Sequence, residues 1–542
     1  MSGTSIELSH IARPQAAVAK SASTRRPSTI IEDSQDDQAT SHSLERTATV
    51  SSKSTTTVVI ASVTLITGIS TLLNGLTTVI LPTMAVDLDI PSNLLLWPSS
   101  IQALTCGCVL LLSGSIADAL GSRFMYMLGS ILQSVFTLGC GLSRNATQLI
   151  IFRGLSGIAI AFCLPSAVSI ITSTLDGKRR NFAFAAMGGG QPVGFSIGLT
   201  LGGVLTDSIG WRWGFYSAAV ANTVVIVVAL WGLPSSIDGV GDTSVAEIPS
   251  WPQRWHRVKT EIDWVGALIA STALAMLSYV FASIAGSRSS IKQPSSIALL
   301  VVALLLIPLF IFWVGRQENK GRPAIIPNSL WRNRIFSTIC IAVFFTWGSF
   351  NALETILTFY FQDVQKYSAT QTSIYFLPAP IAGVLINLAM GYLVQRVQAN
   401  WLVIIGCAIS FGAPIAMVNT NTDSNYWSTA FLANILNPTG ADSLFTISNL
   451  LITSVFHAKT QALAGGVFNT ISQIGKSVGL GLVAVIAADV TQKSGYEDKK
   501  SPEALLEGYK ATYWFCFACI AVTVALSTWG LRGIGKVGHK RD

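Results

Sequence analysis

From Val58 to the C-terminus, apolar stretches long enough to cross a bilayer follow one another with only short polar breaks, each near the about 20 residues that a spanning helix needs. They fall at 58–80, 94–113, 124–142, 148–171, 183–206, 214–233, 263–285, 296–315, 336–360, 371–391, 401–418, 427–452, 462–488 and 511–531. The pattern predicts an all-α membrane protein with fourteen transmembrane helices. Composition agrees: 50% of the 542 residues are hydrophobic and 11% are charged, against roughly 25% charged in a soluble domain. That balance excludes a soluble enzyme, a disordered chain and a fibrous protein. In a soluble protein the formal charge of +8 would suggest nucleic acid. Here the basic residues lie in short loops between apolar runs and report orientation instead.

With the N-terminus inside, the inner loops and tail hold roughly twice as many Lys and Arg as the outer loops. This places both termini in the cytosol, as an even number of spans requires. Residues 1–56 are rich in Ser and Thr with alternating charge, and read as a disordered cytosolic tail. The one N-x-S/T sequon, at Asn145, falls outside and is a candidate for glycosylation. All eight cysteines sit within apolar runs, so neither a disulfide framework nor a metal site is expected.

Several polar groups stand where lipid or packed helix is expected. Arg153 lies well inside the fourth stretch, Glu354 in the ninth, Asp442 in the twelfth and Lys476 in the thirteenth. An ionisable residue at such depth is costly and marks a functional site by default. Burial favours the neutral form of a carboxyl group, which is what a reversible proton carrier needs. A salt bridge from Lys476 to Glu354 or Asp442 is the alternative reading. The polar or aromatic residues Asn74, Gln102, Trp347, Asn351, Tyr375, Asn387, Asn434, Asn469 and Gln473 stand on apolar stretches and are candidates for binding substrate where such stretches enclose a cavity. In the fifth stretch Gly190, Gly194, Gly198 and Gly202 recur every four residues, with Gly203 beside them. That spacing places them on one helix face, where backbones approach closely. Gly475-Lys476-Ser477 ends like a phosphate-binding loop, but Thr470 replaces the first glycine and no strand precedes it, so nucleotide binding is not expected.

Three of these stretches resemble the motifs of the major facilitator superfamily. Gly114-Ser-Ile-Ala-Asp118-Ala-Leu-Gly121-Ser-Arg123 is similar to its "GxLaDrxGrk" loop, with Ala119 in place of the usual base. Arg153-Gly-Leu-Ser-Gly157 is similar to "RxxQGxg", with Ser156 in place of Gln. Gly194 to Gly203 resembles the antiporter signature "GxxxGPxxGG", with Leu199 in place of Pro. "WRWGFY", "DWVGALIAS", "FYFQDVQKYSATQTSIYFLP" and "AGGVFNTISQIGKSVG" resemble the fourteen-span drug:proton antiporter branch, and within it fungal transporters of the aminotriazole-resistance and boron-efflux kind. The first span lacks the acid that many members of that branch carry; Asn74 is its only counterpart.

The resemblance implies a major facilitator fold, with a six-helix bundle at 57–234, a cytosolic loop, two inserted helices and linker at 235–335, a second bundle at 336–531 and a cytosolic tail at 532–542. It further implies a secondary transporter and no enzyme. The expected activity is proton-coupled efflux of a small toxic compound, drug or secondary metabolite. Arg153, Asp442, Glu354, Asp118 and Arg123 would serve coupling and gating. No cofactor beyond a proton gradient and no nucleic acid is expected. The chain would act as a monomer in a fungal membrane, the plasma membrane ahead of the vacuole. The alternative is a facilitator or uptake permease for an ammonium-like cation or a borate-like weak acid.

Overall fold

The computed structural model describes residues 53–91, 94–175, 177–233, 251–260, 262–286, 293–394, 396–455 and 458–532. Of the tails expected at 1–56 and 532–542, residues 1–52 and 533–542 lie outside the described residues, as do residues 234–250. Everything described is helix, turn or loop, with no strand among the described residues.

Six long helices form the first half: α1 (Lys53–Asp87), α2 (Trp97–Leu120), α3 (Ser122–Leu142), α4 (Ala146–Thr174), α5 (Gly177–Ser208) and α6 (Arg212–Gly232). A short surface helix, α7 (Trp251–Thr260), precedes the pair α8 (Trp264–Gly286) and α9 (Pro294–Asn319); α10 (Asn328–Trp331) follows. The second half comprises α11 (Arg334–Phe359), α12 (Ala369–Phe376), α13 (Pro378–Leu393), α14 (Ala399–Ser410), α15 (Gly412–Val418), α16 (Ala430–Val455), α17 (Ala458–Lys493) and α18 (Pro502–Gly530). The stretches expected at 371–391 and 401–418 are each two helices in sequence. One breaks ahead of Pro378, where Leu377 and the proline ring cannot continue a regular ladder. The other breaks at Phe411, ahead of Gly412.

Eleven helical segments among the described residues are long and apolar enough to cross a membrane, and a twelfth arises if α7 and α8, bent by 64° from one another, count as one span. Each of the fourteen expected stretches coincides with a helix or a helix pair. The two beyond those counts are α5 and α16, at 32 and 26 residues long enough to cross but interrupted by glycine and by amide or acid side chains. The chain is a multi-pass membrane protein. The apolar window of α9 is only 11% buried within the protein, so its remaining surface is left for lipid.

Successive spans alternate in direction, so α1, α5 and α11 end at one membrane face, here the distal face, and α1 starts at the other. Chain breaks are capped in the usual way. Asn145 accepts from the Gln148 amide to cap α4, Asn333 caps α11 and Ser368 caps α12. Within the first half α1 packs along α5, and α4 lies between α2 and α3; within the second, α11 packs on α17 and α18, and α16 on α13 and α14. The halves meet chiefly where α2 lies against α17 and where α5 meets α12.

Candidate functional site

A small cavity lies where the two halves face each other. Its wall is drawn from six long helices: Asn74, Thr77 and Thr78 of α1, Ser99 of α2, Arg153 of α4, Phe195 of α5, Asn351, Glu354 and Thr355 of α11, and Lys476 and Leu480 of α17. The enclosed space is about 10 Å³, about enough for one water molecule. Only Phe195 and Leu480 are apolar, whereas lipophilic ligands take mostly apolar walls.

Local sequence explains why these groups are there. On α1, Thr77 and Thr78 return their hydroxyls to the carbonyls of Leu73 and Asn74, four residues back, so polar side chains sit on a membrane helix without exposed donors. Pro82 follows one turn later and brings no N–H to the Thr78 carbonyl. On α11, Asn351 donates to the Trp347 carbonyl and Thr355 to that of Asn351. Glu354 lies between them, 6% exposed.

Arg153 is the largest fully buried side chain among the described residues, 1% exposed, and its Nε donates to the Pro98 carbonyl at 2.9 Å. Pro98 is a good choice of acceptor: it lies in the first turn of α2, beside Ser99, which itself lines the cavity. Lys476 enters from the opposite half. Glu354 thus shares one polar space with two cations from different halves and different helices. No ion pair within 4.0 Å fixes it to Lys476 or Arg153 among the described residues. A carboxylate flanked by cations but not locked to one can change partner at low cost, unlike a closed buried salt bridge.

The other candidate residues are spread more widely. Asp442 is half-buried in α16 outside this wall, beside Asn387, whose side-chain oxygen accepts from Thr446 at 2.8 Å. Gly383 on α13 leaves the space its carboxylate needs: a Cβ there would come within 2.8 Å of Oδ2. Gln102 is buried on α2 with its Oε1 unpaired. Gln473 and Thr470 of α17 crowd Gly107 of α2, and Asn469 donates to its own helix at Gly465. Trp347 packs on Phe445 at 5.7 Å between ring centroids. Tyr375 and Asn434 belong to a different place: Tyr375 stacks on Tyr426 at 4.1 Å near the distal face, and Asn434 donates to the Tyr375 carbonyl. Asp118 is exposed near the far end of α2, about 28 Å along the helix from Ser99 at 1.5 Å per residue, and Arg123 is half-buried in the first turn of α3. Arg123 reaches the Leu230 carbonyl at 3.5 Å.

Sequence reasoning missed Thr77, Thr78, Ser99 and Thr355. Each reads as an ordinary small residue in an apolar run, and the only signal was that Thr77 and Thr78 follow Asn74 by one helical turn.

The profile described as Major Facilitator Superfamily matches residues 63–480. The chain belongs to that superfamily of membrane transporters. Among curated relatives, MFS-type transporter 1 of Pyricularia oryzae is 41% identical over 517 residues, covering 89% of this chain and 84% of the relative. The aminotriazole resistance protein of Saccharomyces cerevisiae is 25% identical over 80% of this chain and 76% of its own. Among solved structures, the inward-facing, unoccupied bacterial homolog of the human lysosomal transporter Spinster matches with a TM-score of 0.59 and 16% identity, covering 89% of this chain and 98% of that one. That likeness supports the helical fold alone. The expected family and the all-helical architecture are therefore both met.

Proposed function

We propose that this transporter exports a small toxic compound from a fungal cell, driven by protons that enter through the same cavity. The observation that carries the reading is Glu354, a lone carboxyl group facing Arg153 and Lys476 where the halves meet. When charged, Glu354 attracts the cations of α4 and α17 and draws the two walls together. When protonated it loses that attraction, and the cations are left facing one another across the cavity. Each proton therefore changes the balance between arrangements of the halves, which is what alternating access requires. Asp442, the deep acid of α16 facing Gly383 of α13, is the second candidate carrier. Asp118 and Arg123, at the proximal ends of α2 and α3, are assigned to gating there. Fourteen spans, cytosolic termini and a plasma-membrane location complete the reading, which the name of the aminotriazole resistance protein supports in direction.

A deletion strain screened against a panel of toxic compounds, aminotriazole among them, identifies the solute. Its uptake is then followed in everted vesicles under an imposed pH gradient. Accumulation that collapses with a protonophore is expected; accumulation indifferent to the protonophore overturns proton coupling. The neutral Asn74 in the cavity wall favours a second reading, a facilitator or uptake permease for a small solute. Flux that follows only the solute's own gradient, in either direction, would select it.

A further inference from the structure

Toward the distal face the two halves share one buried apolar cluster, and beside it two polar groups bind main chain across the halves. Glu354 is followed on α11 by little more than one turn before the helix passes into a π-helical segment, Tyr360–Val364. A π turn widens the spiral and re-aims the side chains it carries. Gln362, in the middle of that segment, points to the other half, and its Nε2 donates to the Val79 carbonyl at 2.7 Å. Val79 directly follows the cavity-lining Thr77 and Thr78, so this bond spans the lip of the cavity.

The second group is Asp207, at the end of α5. Its Oδ2 accepts from the Thr370 amide in the first turn of α12 at 2.8 Å. The first amides of a helix have no partner within it and favour a negative charge. Between these two bonds, Gly203 lies against Ala369, Thr370 and Ser373, and a Cβ there would collide with all three. Neither Gln362 nor Asp207 lines the cavity.

We propose that Gln362 and Asp207 are positioning residues for transport, latching the distal ends of the two halves over the cavity so that solute gains access from that face only when both bonds release. The proposal rests on the cavity being the transport site. Its test reads access to the cavity and requires neither a solute nor a proton gradient, so it fails separately from the reading of proton-coupled export. Thr78→Cys places a thiol in the cavity wall of the full-length protein, purified in detergent micelles. The reaction of a bulky sulfonated maleimide is followed residue by residue by mass spectrometry. The native Cys108, half-buried on α2, serves as the internal control for general loosening.

In this background Gln362→Glu keeps the side-chain size but removes the donor, and labelling at position 78 should rise about tenfold, the effect of one part-buried hydrogen bond. Asp207→Asn, at a more exposed contact, should raise it about threefold, with Asp207→Glu restoring the slow rate, and the double variant about thirtyfold if the two bonds act independently. Labelling of Cys108 stays constant throughout. An unchanged rate at position 78 in both single variants overturns the latch. So does a rise matched at Cys108, which would mean a loosened fold instead of an opened lip.

Discussion

Helix α5 makes two seams, and they are built on different terms. Along α1 it brings Gly190, Gly194, Gly198 and Gly202 against Thr64, Gly68, Leu72 and Leu76, mostly main chain against main chain over several turns. Against α12 it brings a single glycine, Gly203, with one carboxylate to amide hydrogen bond beside it. The first seam lies within one half and leaves no room for a Cβ at successive contacts. The second joins the halves through one glycine contact and a polar bond, with apolar packing in which Leu199 of α5 and Phe376 of α12 share one buried cluster. The proposed change between arrangements of the halves uses that contrast: continuous close packing where helices move together, and shorter contact where they part.

One added methyl, moved along α5, separates the two seams. Gly198→Ala should have the largest effect on stability, because the new Cβ meets the Leu72 main chain, which cannot swing aside; a loss of about 2 kcal/mol is expected for such overpacking, read as a lowered Tm in detergent. Gly203→Ala should change stability by less than about 1 kcal/mol, since the halves can separate to relieve the clash. It should instead speed maleimide reaction at Thr78→Cys, as the latch variants do. A lowered Tm equal to that of Gly198→Ala would mean that the two seams are alike. Gly189→Ala is the smallest case: nothing lies within 4 Å of its Cβ, so only helix propensity changes, a gain of up to about 1 kcal/mol with no change in labelling.

The glycine face of α5 was legible in the sequence because spacing of four has one geometric meaning on a helix. What the spacing could not say is that Gly203, adjacent to Gly202, is turned by about 100° toward a different partner. The deep charges were legible for a similar reason: Arg153, Glu354 and Lys476 stand out in apolar runs, and the fold brings those three to one cavity. Tyr375 and Asn434 show where the sequence stops. Both look like cavity residues by polarity, yet Tyr375 is part of an aromatic cluster with Phe361, Tyr367 and Tyr426 near the distal face, and Asn434 serves its main chain. Depth along a helix can be counted from its ends; the direction a side chain faces depends on neighbours distant in sequence. Gln362 was hidden for a further reason, since a π segment shifts every later side chain off the regular spiral.

The central claim is that Glu354 takes up and gives back the coupled proton. It is tested most directly by adding the solute found in the screen to purified protein in weakly buffered detergent solution and following pH with an indicator dye. The account predicts a proton signal in the wild type that is lost in Glu354→Gln while Glu497→Gln, at an exposed loop acid, retains it. An undiminished signal in Glu354→Gln would contradict the account and move the proton to another group.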